Sequence, residues 1–149
     1  MKIFFAGDHA GFELKKDLMA YAKELGHEIE DLGPSSYDVN DDYPDFVVPL
    51  AKKVVAEPGS RGIICAGSGQ GEVIAANRIA GARAVVYYGG NLDVVAKTRE
   101  HNDANILSIG ARFAGVKESK EAVKIFLETP YSSGERHRRR LEKIDAASS

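Results

Sequence analysis

Three polar clusters in this sequence carry residue types that can do chemistry. Asp8-His9 follows the apolar run Lys2–Ala6. An acid and an imidazole just past a strand can grip hydroxyls or a phosphate, while Asp8 could equally cap the next helix. The second cluster is Cys65-Ala66-Gly67-Ser68-Gly69-Gln70-Gly71-Glu72. Alternating glycines let successive backbone N–H groups converge on an anion, and Ser68 adds a hydroxyl. The spacing is G-x-G-x-G. It is neither the dinucleotide fingerprint, because Glu72 takes the last glycine's place, nor a Walker A loop, because no Gly-Lys-Ser/Thr follows. The third cluster runs through Arg99-Glu100-His101-Asn102-Asp103, Arg112 and Arg136-His137-Arg138-Arg139-Arg140. Arg136 and Arg140 are four apart and share a helix face, an arrangement suited to a phosphate; a solvated basic helix is the plainer reading.

Several chemistries find no support. His9, His27, His101 and His137 are scattered, with no H-E-x-x-H or C-x-x-C, so no metal is expected. Cys65 is the single cysteine, which rules out an intrachain disulfide. A net charge of −2 gives no global electrostatic case for nucleic acid, and the basic run lacks interleaved aromatics. No apolar run approaches the roughly 18–20 residues that span a bilayer. The first residues do not read as a signal peptide, so a cytoplasmic location is expected.

The elements that must position these clusters alternate regularly. Strands are expected at Lys2–Ala6, His27–Leu32, Gly62–Cys65, Ala82–Tyr88 and Asn105–Ile109. Helices are expected at Phe12–Leu25, with Gly26 as the stop, at Pro44–Ala56, from the end of the Ala66–Gly71 loop to Ile79, and at Leu92–Glu100, Val116–Leu127 and Arg136–Ala146. Pro49 could kink the second helix. Five strands alternating with helices predict a single Rossmann-like α/β domain over residues 1–149. Its five-stranded parallel sheet carries helices on both faces. Residues Ala146–Ser149 are expected to fray. Ligands of open parallel sheets bind beyond the strands' carboxyl ends, where the first two clusters fall.

Taken together, G-D-H-A-G (Gly7–Gly11), D-Y-P (Asp42–Pro44), G-S-G-Q-G-E (Gly67–Glu72) with A-A-N-R (Ala75–Arg78), R-E-H-N-D-A-N (Arg99–Asn105), G-A-R (Gly110–Arg112) and R-H-x-x-R (Arg136–Arg140) resemble the type B ribose-5-phosphate isomerases. The likeness runs from Lys2 to about Ile144. It implies metal-free interconversion of ribose 5-phosphate and ribulose 5-phosphate, and a homodimer or dimer of dimers whose active sites are shared between subunits. By the same resemblance Asp8 and His9 contact substrate, and Gly67, Ser68, Gly69, Gln70 and Gly71 cradle an enediolate. His101 assists ring opening. Asn102, Arg112, Arg136 and Arg140 bind substrate, the arginines at the phosphate. One branch of the family uses a cysteine base at the end of strand three. Aligning the glycine loop puts Ala66 at that position, with Cys65 one residue early and facing the other side of the sheet. The other branch uses a glutamate after the loop, where Glu72 stands. Burial would raise the Glu72 pKa and the helix N-terminus would lower it. The related galactose-6-phosphate isomerases leave a hexose phosphate as an alternative substrate. A non-catalytic phosphate- or nucleotide-binding module would use the same loop without needing Glu72.

Overall fold

The computed structural model describes residues 1–147. In chain order the elements are β1 (Lys2–Gly7), α1 (Phe12–Glu24), β2 (Glu28–Asp31), α2 (Pro44–Ala56), β3 (Arg61–Ala66), α3 (Gln70–Ala76), β4 (Ala84–Tyr87), α4 (Asp93–Asn102), β5 (Ile106–Gly110), α5 (Val116–Glu128) and α6 (Glu135–Ala147). The strands form one sheet in the order β2-β1-β3-β5-β4, every neighbouring pair parallel. This is the expected single α/β domain.

The burial of each strand follows its place. β1, β3 and β5 are central and almost wholly buried, as their unbroken apolar runs require. β2 is an edge. Its residues are exposed or half-buried, and Lys2 pairs with both Glu28 and Glu30. Alternation within the central strands sends side chains to two cores. Ile3, Phe5, Ile63, Cys65, Leu107 and Ile109 pack under α1, α4 and α5. Phe4, Ala6, Ile64 and Ile106 pack under α2 and α3. Helices therefore cover both faces. On α1 the buried Leu14, Leu18 and Ala22 recur every four residues, the stripe that the sequence spacing implies.

Several boundaries differ from those expected. Strands two and four are shorter, because both are edges and pair on one side only. α3 begins at Gln70 and ends at Ala76, so Gln70 and Gly71 belong to the helix rather than the loop. α4 extends to Asn102, which places His101 and Asn102 in its last turn, and Asp103 stops it in a left-handed conformation (φ 45°). Gly26, at φ 92°, follows the end of α1 as expected. Pro49 lies inside an uninterrupted α2. α6 continues through Ala146 and Ala147, where fraying was expected; Ser148 and Ser149 lie outside the described residues.

A buried lysine ties the long β2–α2 connection to the body of the fold. Lys15, 1 % exposed, donates to Asp31 Oδ1 (2.8 Å) and to the Pro34 carbonyl (2.8 Å). The Gly33 amide also donates to Asp31 Oδ1 (2.9 Å), and Gly7 N–H donates to the Gly33 carbonyl (3.1 Å). The segment from Pro34 to Tyr43 thus leaves the sheet from a fixed point beside the end of β1.

Candidate active site

The chain leaves β1 through α1 to reach β2 on one side, then returns through α2 to β3 on the other. The connections diverge at the carboxyl ends of β1 and β3 and open a crevice between them. A cleft of about 400 Å³ lies there. Asp8, His9 and Ala10 line it from the end of β1, and Gly67, Ser68, Gly71 and Glu72 from the end of β3 and the start of α3. Arg112 enters from beyond β5 and Tyr43 from just before α2.

Each wall is fixed by backbone geometry. Asp8 N–H donates to the Cys65 carbonyl (3.2 Å), which locks the two loops together. Asp8 Oδ1 accepts the Gly11 N–H (3.1 Å), so this carboxylate caps the tight turn before α1; no side chain caps α1 itself. Gly11 has to be glycine, since a Cβ there would lie 2.0 Å from the Cys65 carbonyl oxygen. Gly69 takes φ 77°, and a Cβ on it would lie 2.8 Å from the Ser108 hydroxyl. That hydroxyl, buried on β5, donates to the Gly69 carbonyl (3.1 Å) and holds the turn from beneath. Arg112 N–H donates to the Gly67 carbonyl (3.1 Å), bringing its guanidinium alongside the loop.

Glu72 stands in the first turn of α3 and is 4 % exposed. Burial raises its pKa above the ordinary 4.5; its own backbone N–H opposes this, and the neighbouring Asp8 carboxyl adds to the rise. Burial therefore outweighs that backbone hydrogen bond. Cys65 is fully buried in the core beneath α1 and α5, and burial pushes its thiol pKa well above the ordinary value.

The remaining expected site residues lie elsewhere. Asn102 lines a second cleft, of about 360 Å³, together with Asn77, Arg83 and Leu141. His101 stacks on His137 of α6, the rings 4.3 Å apart and 12° from parallel. Ser132 donates through both its amide (3.1 Å) and its hydroxyl to the Glu100 carbonyl, tying the start of α6 to the end of α4. His137 has its pKa lowered, first by burial and then by His101, Arg136 and Arg140, so these side chains share one neighbourhood. Arg136 and Arg140 are exposed. α4 ends where β5 begins, so this group sits at the amino end of the sheet, and the cleft at the carboxyl end. The five residues of β5 separate them by about 16 Å. Gly69 and Gln70 also do not line the cleft. Gly69 is buried against Ser108, and Gln70 is exposed on α3.

Tyr43, which lines the cleft, and Asp41, bonded to His9, carry no role that the sequence alone assigns. Tyr43 packs over Gly71, where a Cβ would lie 2.3 Å from the phenol oxygen; only its place in the D-Y-P motif marked it. Asp41 accepts a 2.8 Å bond to His9 Nδ1 across 32 residues of sequence, for which no local pattern gives a signal.

A parallel α/β sheet with a glycine loop and a buried carboxyl at its switch point defines a ligand-binding enzyme domain of the open-sheet class. The chain belongs to the Ribose/Galactose Isomerase family, whose model matches residues 3–144. It is 43% identical over 142 residues to a ribose-5-phosphate isomerase B of Mycobacterium tuberculosis, covering 95% of this chain and 86% of the relative. The corresponding Mycobacterium leprae protein is 42% identical with the same coverage. Among solved structures, ribose-5-phosphate isomerase B of Mycoplasma genitalium with bound ribulose-5-phosphate superposes with a TM-score of 0.93 at 37% identity, covering 98% of this chain and 95% of that one. The Trypanosoma brucei type B enzyme gives 0.92 at 38% identity, with 98% and 97% covered. Among the described residues no helix is long and apolar enough to cross a membrane, and no group of three or more His, Cys, Asp or Glu could hold a metal ion.

Proposed function

We propose that this isomerase interconverts ribose 5-phosphate and ribulose 5-phosphate through an enediolate, with Glu72 as the base. The observation that carries the reading is the buried Glu72 carboxyl at the sheet's switch point, flanked by Asp8 and the glycine loop. Relatives above 40% identity bear the ribose-5-phosphate isomerase B name, and a solved relative holds ribulose 5-phosphate.

Glu72 removes the C2 proton of the open-chain aldose and returns it to C1, while the hydroxyl proton passes from O2 to O1. A base raised above the ordinary carboxylate range is better matched to this work near neutrality. The glycine-loop amides and the Ser68 hydroxyl stabilise the enediolate oxygens, an effect worth roughly 3–4 kcal/mol per donor in comparable sites. Asp8 and His9 hold the sugar hydroxyls. Arg112 binds from the far wall.

His101, Asn102, Arg136 and Arg140 reach this cleft only from a second copy. Their place at the opposite end of the sheet favours a homodimer in which each amino-end cluster closes the partner's crevice. There His101 protonates the ring oxygen, and the two arginines hold the phosphate in a bidentate grip.

The test is turnover of ribose 5-phosphate by purified wild type and by Glu72→Gln, with a chelator present. Wild-type turnover with an inactive, folded variant supports both the reaction and the base. If hexose 6-phosphates are turned over with the higher kcat/KM, the substrate assignment is replaced. If no sugar phosphate reacts, the isomerase reading of the site fails.

A further inference from the structure

We propose that Asp41 is a positioning residue that acts through His9, fixing the imidazole with Nδ1–H bound to its carboxylate and Nε2 left for the substrate. This rests on the isomerase reading for its consequence but not for its geometry. His9 lines the cleft, and its Nδ1 lies 2.8 Å from Asp41 Oδ1. A hydrogen bond on one ring nitrogen sets the tautomer and so the role of the other. An ionised carboxylate accepts but cannot donate, so the shared proton sits on Nδ1. Nε2 is then the only ring nitrogen free to face a ligand.

Burial argues for a specific pairing rather than a surface ion pair. The Asp41 side chain is 5 % exposed, and its second oxygen, Oδ2, is buried without a hydrogen-bond partner. Leaving half a carboxylate unsatisfied is costly, so the His9 bond is the chief polar compensation this group has. The ring is also held by its surroundings. Tyr37 meets His9 edge to face at 6.2 Å and 88°, and the same tyrosine packs on Phe12 of α1 in the same manner. The segment carrying Tyr37 and Asp41 starts from the Pro34 carbonyl that Lys15 anchors. The Asp41 amide donates to the Asp38 carbonyl (3.1 Å), and the Asn40 amide to the Asp38 side chain (2.9 Å), making a compact turn that aims Asp41 inward. The β2–α2 connection therefore serves to set one imidazole at the cleft.

Two measurements test this. Nitrogen NMR of the intact protein reads the His9 tautomer directly, whether or not any sugar phosphate is turned over. The Nδ1–H form is expected in the wild type and its loss in Asp41→Ala. A double-mutant cycle reads the coupling in kcat/KM. Asp41→Ala is expected to lower kcat/KM at least about tenfold when His9 is present and by less than about twofold in a His9→Ala background. Asp41→Asn, which keeps a carbonyl oxygen for Nδ1–H, is expected to recover most of the loss; Asp41→Leu, of similar size but with no acceptor, takes the place of the alanine variant in the cycle if that variant does not fold. An equal loss in both backgrounds, or an unchanged tautomer without Asp41, overturns the proposal. A coupled tautomer in a protein that turns over no sugar phosphate would instead leave the pairing intact and remove the isomerase reading.

Discussion

Glu72 meets two opposing influences, its own backbone N–H in the first turn of α3, which favours its charge, and a buried site that penalises it. Burial is the larger, so its proton is held more tightly in the folded chain than in the unfolded one. Two outcomes follow from that sign. The acid limb of the wild-type kcat/KM profile should lie above the ordinary 4.5 and should be absent from any residual activity of Glu72→Gln. Because the raised pKa makes the native state lose stability as pH rises from the unfolded value through the folded one, Glu72→Gln should gain in Tm relative to wild type over that interval. A Tm difference that does not grow between about pH 4 and pH 7 would contradict a raised pKa. Cys65 gives the contrasting case. Its thiol is fully buried with a raised pKa, so it should resist thiol reagents in the native protein and react on unfolding. Cys65→Ala should keep kcat within about twofold and cost roughly 1 kcal/mol of stability, seen in denaturant melts. A loss of turnover comparable with that of Glu72→Gln would return the base to the cysteine.

At the scale of elements, the cleft exists because β3 and the start of α1 approach to backbone contact. Gly11 makes this possible; an added methyl would fall 2.0 Å from the Cys65 carbonyl oxygen and 2.1 Å from its carbon. These are backbone atoms of a central strand and cannot step aside. Gly11→Ala should therefore destabilise by about 1–3 kcal/mol or more and reduce turnover together, since Asp8 N–H and the glycine loop are locked through the same carbonyl. Urea melts beside kinetics would check this, and a variant with unchanged melting would show that α1 can shift without cost. The order of these elements along the chain was plain from alternating apolar runs and glycine stops. Their ends were less plain. Gln70 and Gly71 read as loop because glycines mark turns, yet the first turn of α3 accepts them because its N–H groups need no partner within the helix.

At the scale of the whole molecule, the two polar clusters lie at opposite ends of one sheet and, in the proposed homodimer, would each supply half of a site. If subunits exchange these halves, mixing inactive Glu72→Gln with inactive His101→Ala should restore about one quarter of wild-type activity, because half the dimers are mixed and each mixed dimer has one intact site. No recovery after verified subunit exchange would place Glu72 and His101 of one subunit in the same site and contradict the exchange of halves between subunits. The sequence by itself determined the class of fold, through five apolar runs separated by amphipathic stretches. It also determined the inventory of reactive groups, because a glycine loop, a following glutamate and clustered arginines are local patterns. Tertiary structure decided what those patterns could not carry. The strand order put the crevice between β1 and β3 and sent His101, Asn102, Arg136 and Arg140 to the other end. It brought Asp41 to His9 and Ser108 under Gly69, pairings between segments far apart in the chain. It also buried Glu72, which raises its pKa, and burial depends on everything folded around the group.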